Sequence, residues 1–285
     1  MISIIYLIGL LCKQFVFCTR KSKIAYCTIL VYHSIPDDEV DRFKKQMKIL
    51  KQLTKPIPLG YDKMPDHKAR YSIITFDDAF KSVIKNAAPE LIRLNIPFAI
   101  FIPAGNLGAN PEWLRNTGNR NEFEKISNVK ELLALPEQIA TFGSHTISHF
   151  DLRQLDHEEA FFEIKASKAL LESKLKREIK YFAFPYGAHN SKTIEHCAKA
   201  GYRQILSIIP ESPISPISNF IKGRIIVSPS DWKIEYVLKI LGAYGWRSSI
   251  RVIRSKIYGL TNIKNVFGTF LGGDKNNLKS SGMQQ

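Results

Sequence analysis

The chain is poor in cysteine. Its 285 residues include four, Cys12, Cys18, Cys27 and Cys197, and no pair has C-x-x-C spacing. That excludes a zinc knuckle and a thioredoxin-like motif, and the four read as small buried hydrophobes. Acid is also scarce. Forty-one Lys/Arg stand against 26 Asp/Glu, a net charge of +15. Such an excess favours an anionic partner: a membrane surface, an acidic glycan or a nucleic acid. It is strong at the C-terminus, where residues from Arg247 onward hold seven Lys/Arg and one acid, Asp274. No zinc-finger, helix-turn-helix or RNA-recognition signature accompanies it, so no nucleic-acid partner is expected. Internal repeats are absent too. Histidine does not recur after His196.

A long apolar run is also missing. The N-terminal "MISIIYLIGLLCKQFVFC" stays apolar without interruption for only about a dozen residues, short of the ~20 that a spanning helix needs. No basic residue precedes it and no small-x-small cleavage site follows, as a secretory signal would require. Lys13, Arg20, Lys21 and Lys23 all lie after its start. The segment reads as an uncleaved membrane-surface helix or re-entrant anchor. The body of the protein would then lie on the cytoplasmic face of an anionic membrane. The alternative is a cell-envelope or secreted location reached through an N-terminal signal.

What is present is alternation. Apolar content of 45% suffices for a full core. "CTILVYHSI", "YSIITF", "IPFAIFIP", "QIATFGS", "KYFAFP", "RQILSI" and "KGRIIV" read as strands, the first ending at His33. Between them lie helical patterns. "VDRFKKQMKILKQL" sets Phe43, Met47, Leu50 and Leu53 on one face. A helix from Lys81 to about Asn95 is predicted, and another from Asp156 to about Lys176. "SKTIEHCAKAGY" should end at a Gly201 cap, and "DWKIEYVLKILGAY" is a final helix. Strands alternating with helices mean a parallel sheet covered by helices, with about seven units suiting a barrel or a doubly wound sheet. The polar tail from Gly268 reads as disordered.

The chemistry-bearing residues fall where strands end, the edge on which parallel α/β folds build sites. "TFDDAF" places Asp77 and Asp78 side by side. Taken alone, the pair reads as acids at a helix N-terminus, favoured by the dipole. "GSHTISHF" changes that. His145 and His149 are four apart, which on a helical turn puts both imidazoles on one face. Two histidines and one carboxylate make a metal site with open positions, as catalytic metals are held. Asp78 would bind the metal, and Asp77 would stay unligated beside a water on it and take its proton. "FAFPYGAHN" adds a tight turn, Pro185–Gly187, whose backbone N–H groups can stabilise an oxyanion.

"TFDDAF", "SHTISH" and "FAFPYG", in this order on successive strand ends, resemble the polysaccharide deacetylase family, carbohydrate esterase family 4. That is the homology domain of the nodulation-factor N-deacetylase. "LVYHSI" is similar to the first strand of the subgroup with Tyr-His there and Pro-Tyr-Gly later. The resemblance spans about Thr28 to Tyr244. It implies an incomplete (β/α)7 barrel and metal-dependent removal of an N-acetyl or other small acyl group from a sugar. The glycan would be a polysaccharide or a lipid-linked one. By resemblance Asp77 is the base, and Asp78, His145 and His149 are the metal ligands. The Tyr186 N–H is the oxyanion donor, with Pro185 and Gly187 lining the substrate. Zinc suits these ligands; iron, cobalt and nickel also fit. The chain then divides into an apolar membrane-associating segment (1–27), a deacetylase-like barrel (28–246) and a basic, partly disordered extension (247–285).

Three departures from the family pattern stand out. Ala79 occupies a position that is usually Gly, which is mild where the local φ is negative. Ala183 and Phe184 stand where many members carry an Arg that tethers the base; Arg224 can supply that charge from a later strand. The C-terminal Leu-x-His that protonates the leaving amine is missing, so the general acid is unassigned; His33, at a strand end, is a candidate. Its other reading is a buried, hydrogen-bonded core histidine. Asp231 and Trp232 fall near a late family motif. Trp232 is a candidate substrate contact and Asp231 reads as a cap of the final helix. His67, His157, His189 and His196 match no motif and read as surface or packing residues. A second reading follows from these departures, a degenerate member that acts as a carbohydrate-binding module.

Overall fold

The β-branched and aromatic runs pair as strands, and every strand pairing is parallel. The computed structural model describes residues 26–61, 69–208 and 220–243. The N-terminal apolar segment, His67, the Pro/Ser-rich loop at 209–219 and the C-terminal extension lie outside the described residues. Among those described, no helix is long and apolar enough to cross a membrane.

The strands are β1 (Tyr26–Tyr32), β2 (Lys55–Pro56), β3 (Arg70–Phe76), β4 (Phe98–Ile102), β5 (Ala140–Ser144), β6 (Tyr181–Ala183), β7 (Gln204–Ser207), β8 (Ile221–Gly223) and β9 (Ile225–Ile226). Their order across the sheet is β8-β7-β6-β5-β4-β3-β1-β9, with the short β2 added beside β3. The two ends of this order are neighbours in sequence. "KGRIIV", predicted as one strand, splits at Arg224 into a half that pairs with β7 and a half that pairs with β1. That split stave draws the two edges together. The result is a nearly closed barrel of seven staves, in line with the predicted incomplete (β/α)7 barrel.

Helices cover the outside. They are α1 (Val40–Leu53), α2 (Ala88–Arg93), α3 (Val129–Leu133), α4 (His157–Leu175), α5 (Ser191–Lys199) and α6 (Lys233–Ile240). Phe43, Met47 and Leu50 of α1 are buried, as its periodicity requires. Asp156 and Glu159 form a capping box on α4, and Gly201 follows α5 at φ +81°. The single helix predicted from Lys81 to Asn95 is broken. Residues Val83–Ala87 are π-helical and α2 starts at Ala88. Pro89 has no N–H to continue an α ladder through that point.

Side chains alternate between two apolar clusters, following the period of two along each strand. Leu30, Ile74, Ile100 and Phe182 pack outward with the helices. Ile29, Ile73, Phe101, Ala183 and Leu206 form a smaller inner cluster, with Ile57 and Leu59 from the β2 region. The inner set runs along β3 as Tyr71, Ile73 and Thr75, and the next residue in that series is Asp77.

Candidate active site

β3 ends at Phe76, and its two carboxylates come next. Consecutive strand residues point to opposite faces. Here the backbone turns left-handed at Asp78 (φ 69°) and Ala79 (φ 54°), which lets both acids serve one site. Ala79 is therefore not the mild departure that a negative φ would have made it. An L side chain pays about 1–2 kcal/mol in this conformation. Both carboxylates are buried.

His145 and His149 arrive from the end of β5. They do not share a helical face as their spacing suggested. Residues 145–149 form an irregular loop, with Thr146 at φ 67° and His149 at φ 62°. This curl brings His149 Nε2 to 3.2 Å from Asp78 Oδ1 and His145 Nε2 to 3.7 Å from the same oxygen. One ligand atom each from Asp78, His145 and His149 lies within 4.8 Å of the others.

This cluster fits a divalent metal. His145 Nδ1 lies 2.7 Å from the Ala183 carbonyl, which can only accept. The proton therefore sits on Nδ1, and the Nε2 lone pair faces the carboxylates. Burial lowers the His145 pKa to about 4, with Asp77 opposing, so the ring is neutral at physiological pH as a ligand must be. Asp78 Oδ1 is buried without a hydrogen-bond partner among the described residues, although His149 Nε2 is near it. A bare carboxylate oxygen facing two imidazole nitrogens is costly unless a cation sits between them.

Asp77 has a different environment. Burial pushes its pKa up, but the Arg224 charge, His145 and the Arg224 hydrogen bonds outweigh this and hold it at about 2. Arg224 Nη1 and Nη2 donate to Asp77 Oδ1 and Oδ2, each at 2.7 Å. The guanidinium is wholly buried, lies over the Phe101 ring and reaches Thr75 Oγ1 at 3.3 Å. Arg224 sits at the split in the seventh stave, so barrel closure delivers it to Asp77. Ala183, where an Arg was looked for, is buried in the inner cluster with Phe101.

The Pro185–Gly187 turn follows β6. Tyr186 has φ 58° and Gly187 φ 65°. A Cβ on Gly187 would stand 2.2 Å from Ile208 Cγ1, so only glycine fits. The Tyr186 ring meets His149 edge to face at 4.9 Å. His33 lies just past β1, half-buried, and is close enough for its charge to lower the pKa of both Asp77 and Asp78.

Other predicted positions show no contact with the cluster among the described residues. Trp232 is 80% exposed, and no ring contact or hydrogen bond joins it to the cluster among the described residues. Asp231 is not a helix cap: Trp232 holds that position, and Asp231 Oδ2 accepts from the Ser228 N–H and from Lys239. His189 packs on Phe184, and His196 against Phe161. Cys197 is buried, as expected for a small hydrophobe. One residue had no sequence signal. Trp113 stacks face to face on His149, with centroids 4.2 Å apart and planes 15° apart. It comes from the long loop after β4, where no motif marks it.

Comparison with known proteins agrees with this architecture. The polysaccharide deacetylase family model matches residues 65–205, a span holding the acid pair, both histidines and the Pro185–Gly187 turn. His33 and Arg224 fall outside it. The poly-beta-1,6-N-acetyl-D-glucosamine N-deacetylase of Staphylococcus aureus is 29% identical over 216 residues, covering 70% of this chain and 69% of that protein. Among solved structures, IcaB from Ammonifex degensii superposes with TM-score 0.62 at 20% identity, covering 76% of this chain and 97% of that one. The Streptococcus pyogenes deacetylase PplD, in complex with acetate, gives 0.60 at 20% identity over 77% and 99%. At those identities the two structures establish the fold. The matched motifs, the fold and the strand-end cluster agree: residues 65–205 match the polysaccharide deacetylase family, and the chain is similar to its hydrolases in sequence and in fold.

Proposed function

We propose that the protein is a metal-dependent N-deacetylase that removes acetyl groups from an N-acetylated sugar in a polysaccharide or lipid-linked glycan. The observation that carries this reading is the pair of adjacent carboxylates in two unlike environments. Asp78 faces two imidazoles with a bare oxygen, and Asp77 is tied at both oxygens by Arg224.

In this reading Asp78, His145 and His149 hold the metal, with zinc the best match to the donor set. When bound, such an ion lowers the pKa of a coordinated water and polarises the amide carbonyl. Asp77 takes the proton from the attacking water. A carboxylate with a pKa near 2 is a weak base on its own, so it suits a water that is already acidified. Arg224 keeps Asp77 ionised and fixes its direction. The Tyr186 N–H, held in the left-handed turn, donates to the oxyanion that develops on the acetyl oxygen. In the same reading His33 returns a proton to the leaving amine. Pro185 and Gly187 shape the wall beside the acetyl group.

The Staphylococcus aureus relative makes oligomers of β-1,6-linked N-acetylglucosamine the first substrate to try. The apolar residues before Thr28 and the basic excess support association with an anionic membrane, with the barrel on its cytoplasmic face. The test is acetate release. Purified protein loaded with Zn2+ should release acetate from such oligomers and lose this activity with a chelator. No release with any divalent metal or acylated glycan would overturn the proposal and leave the carbohydrate-binding alternative.

A further inference from the structure

The loop that carries His149 is gripped from two sides. On one side its carbonyls are taken by the segment after β4: Ala104 N–H donates to Thr146 O at 2.9 Å and Gly105 N–H to Ile147 O at 3.0 Å. Gly105 is needed for that approach, since a Cβ there would stand 2.9 Å from both Ile147 Cγ2 and Ile147 O. On the other side the amides of Ile147 and Ser148 both donate to one atom, Glu163 Oε2, at 2.8 and 3.0 Å.

Glu163 is out of place by helix logic. It sits on the core-facing side of α4 with Ala160, Ile164, Ser167 and Leu171, and it is buried. Carboxylates are rarely buried there unless their oxygens are satisfied. No salt bridge joins it to a basic side chain among the described residues; its recorded partners are the two loop amides. Between these anchors the loop holds two non-glycine residues at positive φ, Thr146 and His149. The Thr146 side chain closes the turn by accepting from the His149 N–H at 2.9 Å. Strained backbone of this kind persists only where its surroundings fix it. His145 has a separate anchor, the end of β5 and the Ala183 carbonyl. Glu163 therefore bears on one histidine more than the other.

We propose that Glu163 is a positioning residue. Its carboxylate holds the Ile147–Ser148 amides so that His149 Nε2 stays on Asp78, and it sets the affinity of the site for its metal without touching the ion. The inference builds on the metal reading above and adds a residue outside the ligand set.

The test is Zn2+ affinity, measured by chelator competition on purified metal-free chains, without reference to turnover. E163A removes the acceptor, and E163D retracts it by one methylene. E163Q keeps a neutral oxygen at the same reach. The dissociation constant should rise about 10- to 100-fold in E163A and E163D, the range for losing an outer-shell partner. In E163Q it should stay within about threefold of wild type, because one amide oxygen can accept from both N–H groups. E163M keeps the bulk without the acceptor and should lose affinity as E163A does; wild-type affinity in folded E163M would assign the effect to packing and overturn the inference. Should E163A fail to fold, the contrast between E163D and E163Q carries the test, and equal affinities of those two overturn the inference. Wild-type affinity in folded E163A also overturns it, as does a loss in E163Q equal to that in E163A. A wild-type chain that binds no Zn2+ overturns the metal reading itself and this inference with it.

Discussion

Asp77 and Arg224 stand 147 residues apart in the chain and share two hydrogen bonds of 2.7 Å inside the barrel. The bond depends on closure: Arg224 lies at the split in the last stave, and Asp77 ends the third strand's inward-facing series. Removing the guanidinium would leave a buried carboxylate without its cation. Such single-partner losses cost about 3–5 kcal/mol. Arg224→Met is expected to lower the unfolding free energy by that amount and to move the acid limb of the rate profile to higher pH. Arg224→Lys should recover part of the stability, since an ammonium cannot donate in the same bidentate geometry. Urea unfolding and pH–rate profiles of the two variants check this.

The acid stability of the metal-free protein follows from the same groups. His145 is lowered from 6.5 to about 4, so between these values the unfolded chain takes up a proton that the fold refuses. Asp77 is lowered from 3.8 to about 2, so below 3.8 the unfolded chain again binds more protons. In both windows the unfolded state gains protons first, and stability falls as pH falls. The urea midpoint should decline from about pH 6.5 downward and continue to decline toward pH 2. Arg224→Met should flatten the lower part of that curve, because its Asp77 no longer has a depressed pKa.

Ala79 is the inexpensive repair. Its φ of 54° is one that glycine adopts without strain. Ala79→Gly relieves about 1–2 kcal/mol of left-handed strain and loses up to about 1 kcal/mol to unfolded-chain entropy. The net expectation is a gain of about 0–2 kcal/mol with unchanged metal affinity. Thermal unfolding beside a Zn2+ titration tests it; a drop in melting temperature would count against the left-handed turn at this residue.

Much of the site was legible because it is local. Asp77, Asp78, His145, His149 and Pro185–Gly187 lie in short strand-end motifs whose order identifies the fold. The rest depends on relations between distant segments. Arg224 was visible as a charge in a late strand, but its partner is fixed only when the barrel closes. The sign of φ at Ala79 follows from the turn that brings both acids to one site, which residue identity does not specify. The four-residue spacing of the histidines suggested a helical turn, where the chain uses a strained loop instead. Glu163 had a usable sign, a carboxylate on the apolar side of an amphipathic helix. Trp113 had none. Trp232, marked by its neighbourhood in sequence, is exposed and shows no ring contact or hydrogen bond to the cluster among the described residues.

Trp113 is open to test. Its stack on His149 supplies one wall of the ligand site. Trp113→Ala should weaken Zn2+ binding about tenfold and cost at least about 1 kcal/mol of stability. Trp113→Phe should restore most of both by keeping an aromatic face. Chelator competition and urea unfolding give the two values; unchanged affinity in the Ala variant would make the stack incidental.

The central claim is that two adjacent acids have divided roles. It is tested most directly by measuring bound Zn2+ and acetate release together in Asp77→Asn and His145→Ala. Asp77→Asn is expected to keep its metal and lose about 100- to 10,000-fold in turnover, as for loss of a general base. His145→Ala is expected to lose metal and activity together. Turnover at the wild-type rate in Asp77→Asn, or loss of its metal in parallel with the histidine variant, would contradict the division.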